Sequence, residues 1–168
     1  MRQVEIAEAF EARFPVTIVM VISRDEQGRA DIMPAGWNMQ CSTDPKLVAV
    51  AIHYDRCTYR CIKDRGEYVW AWPGEGQGQI VEQTGSCHGD EVDKFAEFDI
   101  PHCDGVATDV PLLEGAAANL ECRVVDEFPT GDHAIFVGEV VAAHLPDAPI
   151  RKIDNFSGSF VVADPRRE

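Results

Sequence analysis

Residues 119–141 read NLECRVVDEFPTGDHAIFVGEVV. Two apolar arms, LECRVVDEF and AIFVGEVVAAHL, meet at the turn residues PTGDH. Gly131 can adopt the positive φ of a tight hairpin, so the stretch predicts two long antiparallel strands. One residue does not suit a plain turn: His133 stands at the joint, and turns seldom need an imidazole.

Outward from this hairpin, further segments read as strands. PVTIVMVIS at 15–23 is β-branched and apolar, RDEQGRA with Gly28 is a hairpin turn, and another strand begins near Ala30. LVAVAIHY at 47–54 is apolar enough for burial on both faces, EYVWAW at 67–72 follows, and GSFVVAD closes the chain from 158. TYRCIKDRG carries a possible Thr58 N-cap and ends on Gly66, which predicts a short helix. Val4, Ala7 and Phe10 are spaced for an amphipathic helix on the barrel surface. Many strands with scattered helices, and no regular strand–helix alternation, predict a mainly β chain: an antiparallel barrel with peripheral helices.

The chain of 168 residues, 45% hydrophobic and 26% charged, fits a single domain spanning 1–168. Its net charge of −14 opposes non-specific binding to nucleic acid or anionic lipid. The longest apolar run, VTIVMVI, is too short to span a membrane, and the N-terminus lacks the pattern of a secretory signal. A cytoplasmic protein is expected, with its six cysteines reduced. Cys57-x-x-x-Cys61 with CH at 87–88 and HC at 102–103 does not have the spacing of a common zinc module, so no metal is expected.

Several constellations carry more than one reading. GEGQG at 74–78 lacks the third glycine and the second strand–helix unit of a dinucleotide loop, and reads as a flexible connection. In DIMPAGWNMQCSTDP, the thin residues Ala35 and Gly36 before Trp37 let a planar ring approach the backbone. The same pattern reads, more simply, as an irregular strand with a bulge at Gly36 and a core Trp. Arg56 and Thr58 stand at a predicted helix start, where free N–H groups and the dipole favour a phosphate. Arg56 paired with Asp55 or Asp64 is the plainer alternative. Lys94, alone, reads as a solvated charge, and His133 as a polar turn residue.

In their order along the chain these segments resemble the flavin reductase-like FMN-binding split barrels, which include flavoredoxins and the reductase components of two-component monooxygenases. The resemblance is carried by FPVTIVMVIS, DIMPAGWNMQCSTDP, HYDRCTY, TGSCHGDEVDKF and LECRVVDEFPTGDHAIFVGEV, a core of about 13–145, and more loosely by NFSGSF. It implies a six-stranded Greek-key split barrel and a homodimer holding FMN, reduced by NAD(P)H, with electrons passed to a flavin, a monooxygenase or a redox protein. Ala35, Gly36 and Trp37 would lie along the flavin, Cys41 and Ser42 would bond it, Arg56, Thr58 and Lys94 would meet its phosphate, and His133 would face the flavin or nicotinamide edge. Asp31, Pro34 and His88 depart from the family's usual Asn, Thr and Ser. Pro34 would shift any flavin contact to Ala35 or Gly36, and Asp31 would turn away and bond locally. The alternatives are an FMN electron carrier without NAD(P)H turnover, and a Cys/His metal or thiol sensor on a barrel.

Overall fold

The computed structural model of the chain describes residues 1–163. Helix α1 (Ile6–Phe10) and a 3₁₀ turn precede β1 (Val16–Thr17), β2 (Val19–Arg24), β3 (Ala30–Ala35), β4 (Asn38–Thr43) and β5 (Lys46–His53). Helix α2 (Cys57–Arg65), β6 (Glu67–Trp72), α3 (Gly78–Gly85) and α4 (Lys94–Glu97) follow, then the short β7 (His102–Cys103) and β8 (Leu112–Leu113). The hairpin β9 (Ala118–Thr130) and β10 (His133–His144) leads to β11 (Lys152–Phe156) and β12 (Ser159–Ala163). The last residue of the GSFVVAD segment, Asp164, lies outside the described residues.

The principal sheet is antiparallel in the order β3-β2-β6-β9-β10-β5-β4. Its two edges, β3 and β4, are consecutive in the chain and joined only by Gly36 and Trp37. The sheet therefore curls back on itself and stays split between those edges, while Asn38 donates to Ala35 O and Thr17 O, 2.9 Å each, to tie the join. Of the seven strands read from pattern, six belong to this sheet and GSFVVAD becomes β12 of a separate one; the principal sheet has β4 as its own seventh strand, one more than the six that the resemblance implied. NMQCST is polar and largely exposed, so periodicity did not mark it. β11 and β12 form a separate small sheet with β1.

The hairpin that opens the argument is realised in full. Gly131 has φ 59°, and β9 and β10 pair from Thr130–His133 to Asn119–His144 with two register shifts. Gly138, at one shift, lies against Tyr68: a Cβ there would meet the phenol oxygen at 2.4 Å. The alternation along β2 divides the core. Val19 and Val21 pack with Val50, Ile52, Tyr68, Trp70, Cys122 and Phe136 on one side. Met20 and Ile22 pack with Ile32, Val69, Val81, Phe95 and Leu113 on the other. Each such side chain contributes about 1.5 to 3 kcal/mol by leaving water.

Two local expectations change. The Gly-rich stretch is a loop only to Gln77, and Gly78 and Gln79 already belong to α3. Gln77 fixes that loop, accepting from Gly74 N and donating to Glu114 O. Helix α1 buries none of its residues, with Ile6 and Phe10 facing outward rather than onto the barrel. No helix among the described residues is long and apolar enough to cross a membrane.

Candidate functional site

Where β3 gives way to β4, and β5 meets β10, the barrel opens into a cleft of about 330 Å³ lined by Pro34, Ala35, Gly36, Trp37, Ala51, His53, Arg56 and His133. One wall is thin, because Gly36 has no side chain and Ala35 only a methyl. The opposite wall is aromatic. Trp37 is 58% exposed, so it is not the core Trp of the plainer reading, and its indole lies 4.5 Å from the His133 ring. Antiparallel register places His53 directly opposite His133, with ring centroids 5.1 Å apart and edge to face.

Hydrogen bonds orient both imidazoles. His133 Nδ1 lies 2.6 Å from Asp132 Oδ1, and that imidazole holds the Asp132 carboxyl below the usual carboxylate range. His53 Nδ1 accepts from the backbone N–H of Asp55, which leaves its Nε2 as the protonated nitrogen of the neutral ring. A planar, electron-accepting ring against this cleft would meet backbone on one side and two oriented nitrogen heterocycles on the other.

Behind Pro34 and Met33, which line both spaces, a smaller cavity of about 70 Å³ is bounded by Arg56, Cys57 and Thr58 of the α2 start, His88 and Gly89, Asp31 of β3, and Lys94 of α4. No side chain caps α2 at its first turn. Its leading N–H groups and dipole therefore suit an anion. Arg56 is exposed and makes no side-chain hydrogen bond or ion pair among the described residues, contrary to the pairing with Asp55 or Asp64.

Three residues differ from their reading. Thr58 caps nothing: its hydroxyl donates to Asp31 Oδ2. Lys94 is not solvated but 3% exposed, its Nζ donating to Ile32 O at 2.8 Å and lying 3.0 Å from Asp31 Oδ1. Asp31 does not turn away. It sits near the start of β3 opposite Ser23, buried, with its carboxylate lining the cavity. Cys41 and Ser42, on β4, line neither space; they lie further along the strand, where Ser42 pairs with Leu47.

Among the described residues, no group of three or more His, Cys, Asp or Glu is placed to hold a metal. Cys57 and Cys61 are buried with their sulfurs 3.8 Å apart, whereas Cys103 is exposed on β7.

The flavin reductase like domain model matches residues 12–157. The chain belongs to the flavin reductase like family. Within it, an uncharacterized protein of Archaeoglobus fulgidus is 33% identical over 86% of this chain and 80% of its own length. The NADH:riboflavin 5'-phosphate oxidoreductase of Streptomyces pristinaespiralis is 32% identical over 79% of this chain and 72% of its own. The FMN-binding protein from Thermus thermophilus, solved with bound 1-cyclohex-2-enone, superposes with a TM-score of 0.86 at 29% identity, covering 100% of this chain and 97% of that one. This family supports a flavin cofactor and a flavoprotein oxidoreductase.

The cleft and its annex fit a flavin in shape: a slot for a flat ring continues into a pocket of phosphate size at a helix start. Pro34 supplies no N–H to the slot. His53 was missed by pattern because it closes an otherwise apolar strand. Only the pairing register, which sets it opposite His133, could have marked it.

Proposed function

We propose that the protein binds FMN with its ring in the cleft beside Trp37 and His133 and its phosphate end at the start of α2, accepts hydride from NADH or NADPH, and passes the electrons to a flavin, monooxygenase or redox-protein acceptor. The observation that carries this reading is the shared wall. Pro34, Met33 and Arg56 border both the aromatic slot and the anion pocket, so one elongated ligand with a flat head and a charged tail fills both.

When bound, the flavin supplies the hydride-accepting atom and the store for two electrons. The chain's own groups bind and orient. Ala35 and Gly36 leave the ring face open, and Trp37 limits water and provides an aromatic wall. His53, whose Nδ1 accepts from Asp55 N, presents an oriented Nε2–H donor at the rim, where negative charge grows on reduction, and His133, its Nδ1–H engaged by Asp132, sets its ring against Trp37 beside it. Arg56 supplies an exposed cation at the tail.

Ile6 and Phe10 exposed on α1, and an apolar groove of about 330 Å³ lined by Leu47, Trp70, Trp72, Leu120 and Val140, support a homodimer. Light scattering of the purified protein measures it. The function is tested by titrating the flavin-free protein with FMN, then mixing the complex anaerobically with NADH or NADPH and following the flavin absorbance. Bleaching is expected. Binding without bleaching by either nucleotide would leave the electron-carrier reading, and no binding would end the flavin reading.

A further inference from the structure

The small cavity carries a buried carboxylate beside its cations. Asp31 faces it from β3, 3% exposed, and its carboxylate is pinned on three sides. Thr58 donates to Oδ2, the Lys94 ammonium stands 3.0 Å from Oδ1, and Gly89 presses so close that a Cβ on it would meet Oδ1 at 2.3 Å. Oδ1 still has no hydrogen bond of good geometry. Lys94 is equally fixed, between Asp31 and the carbonyl of Ile32. Two groups that would otherwise favour a phosphate, an ammonium and a hydroxyl, are thus engaged by a neighbouring carboxylate, and Arg56 is left as the exposed cation of the pocket.

We infer that Asp31 sets flavin selectivity: by neutralising Lys94 and occupying Thr58 it removes most of the advantage of a phosphorylated flavin, so that the protein takes FMN and riboflavin with similar affinity, as exchangeable substrates. The inference rests on the flavin reading above. A phosphate carries about −1.5 to −2 charge at neutral pH. In a partly desolvated pocket, one uncompensated carboxylate or ammonium changes the affinity of such a group by roughly tenfold or more, and leaves a ligand without the group nearly untouched. The charge count therefore separates FMN from riboflavin, which differ only at the tail.

The test is calorimetric titration of the flavin-free full chain with FMN and with riboflavin. For the natural protein, FMN is expected to bind less than roughly tenfold more tightly than riboflavin. Asp31→Asn frees the Lys94 charge, and should tighten FMN by roughly tenfold or more while moving riboflavin by less than about twofold. The double variant Asp31→Asn with Lys94→Met removes both charges and should restore the natural ratio. It also serves where the single variant, with its buried unpaired ammonium, does not fold. A natural preference for FMN of a hundredfold, an Asp31→Asn variant that shifts both flavins equally, or a double variant whose ratio departs from the natural one would each overturn the inference while leaving the flavin reading intact. Binding of neither flavin to the natural protein would overturn both.

Discussion

Glu121 on β9 and Asp31 on β3 are both buried carboxylates in the same sheet, 0% and 3% exposed, and their surroundings are opposite. Glu121 Oε1 accepts from Val106 N and lies 2.7 Å from His144 Nε2, and Oε2 accepts from Ala107 N, Thr108 N and the Thr108 hydroxyl, all at 2.7–2.9 Å. Those donors come from the loop after β7, so the carboxylate staples that loop to the barrel. Asp31 has one hydroxyl, one ammonium and an oxygen without a well-formed hydrogen bond, beside a cavity. A carboxylate with all its lone pairs matched holds structure, and one left partly unmatched at a pocket is available to select what enters.

The sharpest way to break this contrast is to remove each charge. Glu121→Gln turns an acceptor toward several donors into an amide whose NH₂ opposes them, and should cost about 3 kcal/mol or more. For a chain of this size, that lowers Tm by about 6 to 12 °C. At Asp31 the double variant Asp31→Asn with Lys94→Met, which leaves no buried charge unpaired, should cost distinctly less, because Thr58 keeps an acceptor. Urea melts of both variants check the order, and equal losses would erase the distinction.

Acid tests the same carboxylate without mutation. Burial alone would raise the Glu121 pKa, but the N–H groups of Val106, Ala107 and Thr108 with the His144 imidazole hold it down at about 2. A folded value below the unfolded one means that the stabilisation is fully present above about pH 4.3 and is lost as pH falls toward 2. Its size is about 2 to 3 kcal/mol. Melts of the natural protein and of Glu121→Gln should therefore converge between those pH values, and a constant gap down to pH 2 would show that the carboxylate is not held ionised.

Neither carboxylate's role was visible in the sequence. In LECRVV, Glu121 reads as the solvent-facing residue of an alternating strand, since nothing local shows that a loop 13 to 15 residues upstream folds over that face. Lys94 lies 62 residues from Ile32, whose carbonyl fixes it beside Asp31, and α4, only four residues long, has no periodicity to declare an inward face. By contrast, the β9–β10 hairpin, the β2–β3 turn at Gly28 and the Gly66 end of α2 were legible, because turn chemistry and strand alternation are local. The slot residues Ala35, Gly36, Trp37, Arg56 and His133 were found through family resemblance and do come together. Cys41 and Ser42, taken from the same motif, do not join them, because β4 carries them along the edge away from the cleft.

His133 lies in a region where oriented polarity, rather than charge matching, is at stake. Replacing it by Asn keeps a residue suited to the hairpin end and loses the ring against Trp37. The hydride-transfer rate from NADH or NADPH should fall by roughly tenfold, equivalent to about 1.4 kcal/mol, with Tm and FMN affinity nearly unchanged. Stopped-flow reduction beside thermal melts reads both. An unchanged rate would make His133 a turn residue, and a collapsed Tm would make it structural.

The smallest effect separates the two carboxylates by a single matched change. Thr58 and Thr108 each donate a side-chain hydroxyl to a buried carboxylate, and Val replaces either with little change of shape. At Glu121 the loss leaves three backbone N–H groups and His144, so the remaining donors share the charge and Thr108→Val should cost less than about 1 kcal/mol. At Asp31 the hydroxyl is the only donor with good hydrogen-bond geometry among the described residues, and its removal leaves Oδ2 buried against a methyl. Thr58→Val should therefore cost about 1 kcal/mol more than Thr108→Val in urea melts, where charge-assisted bonds are worth about 1.5 to 3 kcal/mol. A second reading follows from the same pair: the deficit at Asp31 should shrink when riboflavin or FMN is bound, if a ligand hydroxyl reaches the orphaned oxygen, whereas the Thr108→Val deficit should stay constant. Identical deficits with and without flavin would show that the cavity beside Asp31 does not receive the ligand's tail.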